Sequence, residues 1–188
     1  VVCRSDGSIF FTDPELRLPQ ELREIGFAGV YRMDPAGNLH LATDACVYPN
    51  GLAFSPDESV LYVAISRLDE RCFQEDANGE VCTHRRIEAF DVASDGSLSN
   101  HRVFCDMSSA DPGVPDGVKV DTLGRVFCVG SGGIWVIDPS GEVIGIIRTP
   151  EVVRNLAFGG PDFRTLYLTP GGSLSKLELK TPGIGACS

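Results

Sequence analysis

Long apolar runs are missing from this sequence. Its apolar stretches resemble Val143-Ile144-Gly145-Ile146-Ile147, far short of the roughly 20 residues a membrane-spanning helix needs. We therefore expect no membrane partner. The opening Val1-Val2-Cys3-Arg4-Ser5-Asp6-Gly7 has no basic segment followed by an apolar one and no initiator methionine. No export signal is legible there, and the true N-terminus is expected to lie upstream. Positive charge is scarce: 16 Lys and Arg face 26 Asp and Glu, for a net charge of −10. Nucleic acids and anionic membranes want clustered positive charge, so neither is expected as a partner. There is no Gly-x-Ser-x-Gly nucleophile elbow,. His40, His84 and His101 lack zinc spacing,. Helical patterning is nearly absent as well. The one candidate, Glu15 to Glu24, is interrupted by Pro19 and reads better as a short turn or covering loop,.

What is present is a chain of 188 residues with 43% hydrophobic residues, 21 Gly and 12 Pro. That length suits a single domain over 1–188 with a sizeable core and many tight turns. The seven cysteines form no CxxC pair. Cys3, Cys105 and Cys128 sit in alternating apolar runs and are expected to be small buried hydrophobes in a reducing compartment, hence a cytoplasmic protein. Cys72 and Cys82 flank a segment containing Asn78-Gly79, a hairpin signal, and a local disulfide there stays open,.

Short β-branched and aromatic segments bounded by turns dominate, such as Val60-Leu61-Tyr62-Val63-Ala64 and Thr165-Leu166-Tyr167-Leu168-Thr169,. They recur in order. One unit runs through Gly51-Leu52-Ala53-Phe54, Leu61-Tyr62-Val63, Arg86 to Asp91 and Arg102 to Cys105. The next runs through Gly117 to Val120, Val126-Phe127-Cys128, Gly133 to Asp138 and Val143 to Ile147. A unit before them starts abruptly at Val1-Val2-Cys3. A unit after them stops at its third strand, leaving Thr181 to Ser188 as a tail. Turns repeat too: Asp-Gly-Ser at Asp6 and Asp95, and Asp-Pro with a following Gly at Asp34 and Asp138. Four-stranded antiparallel units of roughly 40–50 residues predict an all-β protein built of β-propeller blades, about four of them. The alternative is a β-sandwich in which the repeats are coincidence. Residues 68–85 read as a polar hairpin inserted in the second unit, with Glu70, Arg71, His84, Arg85 and Arg86 on a solvated face.

First strands of propeller blades begin near the central channel, so the residues before them converge. Those residues are Asn50 in Pro49-Asn50-Gly51, Asp116 in Pro115-Asp116-Gly117 and Asn155 in Arg154-Asn155-Leu156. Each offers a side-chain oxygen, which suits a hard cation such as calcium. Taken singly, Asn-Gly and Asp-Gly are also ordinary turn dipeptides.

Four motifs in order then resemble one family: Ser5-Asp6-Gly7-Ser8-Ile9-Phe10-Phe11-Thr12-Asp13-Pro14, Pro49 to Glu58, Pro115 to Asp121 and Asn155 to Asp162. The chain is similar to the gluconolactonase, senescence marker protein and luciferin-regenerating enzyme-like group of six-bladed propeller lactonases. The resemblance implies that Asn50 and Asp116 are metal ligands, that Asp116 is also the general base, and that Asn155 lines the substrate pocket. It implies lactone hydrolysis assisted by a divalent metal, most readily Ca, with Zn, Mn and Mg as alternatives. The substrate partner would be a small lactone, and the protein a monomer or homodimer. The family also uses a Glu from its first blade and an Asn from an Asn-Asp pair entering the strand where this chain begins; neither is in this sequence. Six blades need roughly 300 residues, so the chain reads as the C-terminal two-thirds. Two other readings remain: a non-catalytic or truncated binding and scaffold propeller, and a strictosidine synthase-like propeller without metal hydrolysis.

Overall fold

A computed structural model describes residues 1–14, 22, 24–66, 74–75, 81–82 and 85–185. The first sheet holds β1 (Val2–Cys3), β2 (Ile9–Asp13), β3 (Gly29–Met33) and β4 (Leu39–Thr43) in that order. The second holds β5 (Pro49–Phe54), β6 (Val60–Ser66), β9 (Arg85–Val92) and β10 (Leu98–Asp106). Between β6 and β9, the short β7 (Gln74–Glu75) and β8 (Val81–Cys82) pair with each other as the expected inserted hairpin. The third sheet runs β11 (Val118–Val120), β12 (Val126–Gly130), β13 (Gly133–Ile137) and β14 (Val143–Arg148). The fourth has three strands, β15 (Val153–Gly159), β16 (Thr165–Pro170) and β17 (Ser175–Glu178). Every pairing is antiparallel, as the unit boundaries predict. No helix among the described residues is long and apolar enough to cross a membrane.

Side-chain alternation explains why these are blades and not a sandwich. On β6, Leu61, Val63 and Ile65 join a cluster with Phe10 and Val30 of the first blade. The alternate residues Tyr62 and Ala64 join a second cluster with Val118, Val126 and Cys128 of the third. On β12, Phe127 and Val129 turn the other way, onto Leu156, Leu166 and Leu168 of the fourth. Adjacent strand residues point to opposite faces, so a strand apolar on both must be covered on both. Each large aliphatic side chain so buried contributes about 1.5–3 kcal/mol.

The Asp turns close as their sequence implies. Asp6 Oδ1 accepts the amide of Ser8 at 2.8 Å and Asp95 Oδ1 that of Ser97 at 2.9 Å. Asp34 and Asp138 each take two amides across their Asp-Pro turns. The glycine completing the last of these, Gly141, has φ +94°, and a Cβ there would lie 2.3 Å from Phe104 O. Only glycine fits both conditions.

The tail is more than an appendage. Gly183 bridges to Asp121, Ile184 N donates to Val120 O, and Gly183 N donates to Phe163 O, tying the third blade to the fourth.

Two expectations change. Cys3 is exposed, while Cys105 and Cys128 are buried; β1 opens a blade whose outer face no other blade covers among the described residues. Arg85 and Arg86 are not on a solvated face. Arg85 Nη1 reaches Ser109 O at 3.1 Å, and Arg86 binds Glu88, a carboxylate fully removed from solvent. Burial of that charge is possible because Arg86 and His101 both reach it, at 2.6 and 2.9 Å,. The remaining expectations on residues 15–21, 67–73 and 83–84, including the covering loop, Cys72, Glu70, Arg71 and His84, fall outside the described residues, as does the Asn78-Gly79 turn.

Candidate functional site

The first strands β1, β5, β11 and β15 lie side by side across the blades, with β11 in contact with both β5 and β15. Asn50 stands on β5, Asp116 two residues before β11, and Asn155 on β15. The following glycines explain the spacing. A Cβ on Gly51 would fall 2.1 Å from Asp116 O, and one on Gly117 would fall 2.3 Å from Asn155 Oδ1. Neither glycine has positive φ. They are present because inner strands approach closely, not because the chain turns.

That approach brings Asn50 beside Asp116, where its side chain favours the ionised form of the carboxyl. Burial raises the pKa of Asp116 above the ordinary carboxylate value, opposed by the positive charge of Arg154 and by Asn50,. The Asp116 backbone is fixed from N–H to Val129 O at 3.2 Å, and Gly117 N donates to Arg154 O at 3.2 Å. Thr12 Oγ1 donates to Asn50 O at 2.8 Å.

Asn155 shares the row but faces differently. Its Oδ1 accepts the amide of Leu156 at 2.8 Å, and the residue is exposed. Arg154, whose charge acts on Asp116, was not singled out from the sequence. It immediately precedes Asn155, and only the packing of β15 against β11 carries it toward the carboxylate.

Asp116 and Asn50 offer oxygen donors only. Among the described residues no three His, Cys, Asp or Glu side chains cluster as a metal site. The nearby Cys128 thiol is pushed far up by burial, so it offers no thiolate,. His40 instead pairs with Asp34 in the turn before its strand, and His101 with Glu88 on β9. The donor pair therefore suits an oxygen-seeking cation of the calcium or magnesium type better than zinc. A separate hollow of about 450 Å³ lies at the other end of the same strands, lined by Leu52, Phe54, Lys119 and Phe158 among others, and includes none of the three residues.

The chain matches the family model described as the SMP-30/Gluconolactonase/LRE-like region over residues 1–171. It is 31% identical to a gluconolactonase of Zymomonas mobilis over 186 residues, covering 94% of this chain and 49% of the relative. It is 32% identical to a lactonohydrolase of Aspergillus oryzae over 166 residues, covering 83% and 35%. The chain thus spans half or less of the length of these relatives. Among solved structures, a gluconolactonase from Xanthomonas campestris superposes with TM-score 0.72 at 35% identity, over 97% of this chain and 55% of that one. A luciferin-regenerating enzyme superposes with TM-score 0.77 at 19% identity, over 99% and 62%, a likeness of fold.

Proposed function

Because the chain belongs to the SMP-30/gluconolactonase/LRE-like family, we propose that it serves the hydrolysis of a small lactone, with Asp116 as general base. The observation that carries this is the pairing of Asn50 with the half-buried Asp116 carboxyl at the heads of adjacent inner strands. Relatives named gluconolactonase and lactonohydrolase support the substrate class. A base works best when its pKa is drawn toward the working pH, and burial moves Asp116 in that direction,. The ionised carboxylate takes a proton from water as the water oxygen bonds to the lactone carbonyl carbon. The ring C–O bond then breaks, and the proton is returned to the departing alkoxide to give the open hydroxy acid. Asn50 orients the carboxylate, Arg154 favours negative charge beside it, and Asn155 borders the substrate space.

Asn50 and Asp116 are the residues that would hold a divalent cation, Ca by preference and Mg, Mn or Zn as alternatives, with the rest of its shell from other groups or water. When bound, such an ion would supply Lewis-acid polarisation of the carbonyl.

A pH-stat assay on glucono-δ-lactone, with Ca²⁺, Mn²⁺ or Zn²⁺ added in turn, tests the proposal. Asp116→Ala is expected to lower kcat/KM by about 10²–10⁴-fold, the usual weight of a general base, and to abolish cation binding by calorimetry. Full activity in that variant would remove Asp116 from the mechanism. No hydrolysis by the parent with any of the three metals would favour a binding propeller instead.

A further inference from the structure

A buried serine stands between the two halves of this site. Ser66 closes β6 and is 5% exposed. Its amide donates to Tyr48 O at 3.2 Å, and its hydroxyl donates to Pro115 O, 49 residues further along the chain and in the next blade. Pro115 immediately precedes Asp116, and Tyr48 lies two residues before Asn50. One residue thus holds the approach to both.

The Tyr48 segment needs holding. Tyr48 has φ +60°, a left-handed conformation that is uncommon for a bulky aromatic residue,. Such residues persist only where surrounding contacts over-determine them. Its carbonyl is held by the Ser66 amide, and two residues on the Asn50 carbonyl is held by Thr12 Oγ1. On the other side, Pro115 has no N–H to give, so its carbonyl is the one backbone polar group by which that residue can be fixed.

The arrangement recurs around the molecule. A hydroxyl near the end of each blade's second strand bonds a carbonyl leading into or starting a first strand. Thr12 serves Asn50 O of the next blade, whereas Ser131 serves Gly113 O and Thr169 serves Asn155 O at the first strand of their own blades. Ser66 differs in engaging both segments that carry the Asn50–Asp116 pair.

We propose that Ser66 is a positioning residue that fixes the Tyr48 and Pro115 segments against each other, and through them the placement of Asn50 beside Asp116, across the junction of the second and third blades. Its relevance to catalysis rests on the reading of Asn50 and Asp116 given above; its effect on the geometry does not. The physical route is short. Without the hydroxyl, Pro115 O loses its donor, the Pro115–Asp116 peptide is free to tilt, and the spacing of Asn50 and Asp116 loosens. Displacements near 1 Å at a reacting group can cost about 10²-fold in rate.

The test uses the full chain without added metal, followed by the side-chain NH₂ resonances of Asn50. Asp116→Ala identifies the signature that the neighbouring carboxylate gives these protons. Ser66→Ala is expected to collapse that signature toward that of Asp116→Ala, and Ser66→Thr to keep it, since Thr12 does the same work between the first and second blades. Ser97→Ala, a turn hydroxyl remote from the site, is expected to leave it unchanged. In the lactone assay Ser66→Ala is expected to lower kcat about tenfold with KM within about twofold, and Ser66→Thr to restore it. Should Ser66→Ala not fold, Ser66→Cys, near in size and a weaker donor, is expected to weaken the signature. A folded Ser66→Ala or Ser66→Cys with the parent's Asn50 signature would overturn the proposal. A parent chain that hydrolyses no lactone would sink the functional reading alone, because the NH₂ signature decides the geometry without activity.

Discussion

Asp116 is where local chemistry departs most from what its residue type implies. A solvated aspartate needs no help to ionise; this one is raised by burial and partly restored by Arg154 and Asn50. The sign matters for two predictions. As the proposed base the group would work only when ionised, so the rate should climb as pH rises through its elevated pKa. Asn50→Ala removes a side chain that favours the ionised form and should shift that acid limb to higher pH, as should Arg154→Met,. The pH profile of kcat/KM checks both; a limb unmoved in either variant would detach that residue from Asp116. The stability consequence runs the other way. A carboxyl whose pKa is raised by folding costs stability as pH rises from the ordinary carboxylate value through the folded one. Asp116→Asn, isosteric and uncharged, should therefore melt at or above the parent temperature at pH 7 while losing activity.

At the scale of the element, the turns between strands do as much as the strands. Asp121 shows why. It is fully buried and accepts the amides of Leu123 at 3.0 Å and Arg125 at 2.9 Å, while its second oxygen pairs with the Arg125 guanidinium at 2.6 Å. The same Arg125 reaches Thr181 of the tail at 2.7 Å. Asp121→Ala should cost about 2–4 kcal/mol, toward the lower end of the range for breaking a buried pair because Arg125 keeps some access to water. Asp121→Asn should cost less, since an amide oxygen still serves the two backbone donors. Urea unfolding followed by the fluorescence of Trp135, whose Nε1 is held by Ser131 O at 3.0 Å, measures both. Equal losses would mean that the charge, not turn closure, carries the effect. These Asp turns were legible as Asp-Gly-Ser and Asp-Pro-x-Gly because each needs only neighbours in sequence. The pairing of the turn at Asp121 with Gly183 was not, because it joins residues 62 apart by number.

For the whole molecule, blades are held by packed faces and by hydrogen bonds at the junctions, such as Thr12 Oγ1 to Asn50 O and Gly117 N to Arg154 O. The two central blades bury both faces and the two outer ones a single face among the described residues. Phe10 illustrates the coupling. It is fully buried and meets Phe54 of the next blade edge-on, with ring centroids 5.2 Å apart. Phe10→Ala should cost about 3–5 kcal/mol. If the blades unfold as one, Trp135 on the third blade should report that loss in full although it lies in no contact cluster with Phe10. A Trp135 transition unchanged in this variant would mean that blades melt separately, as stacked repeats can.

The sequence alone determined the blades: period-2 alternation and recurring turn chemistry act locally, so strand order, the three-stranded last unit and the inserted hairpin were all readable from it. It also brought Asn50, Asp116 and Asn155 forward by their equivalent positions. Only the tertiary structure decided how those positions meet. It showed that Gly51 and Gly117 serve close strand approach, that Asn155 turns its oxygen to its own backbone, and that Arg154 and Ser66 complete the neighbourhood of Asp116. Those relations depend on the distance between blades and on burial, which are set by packing of residues far apart in the chain and leave no periodic trace in it.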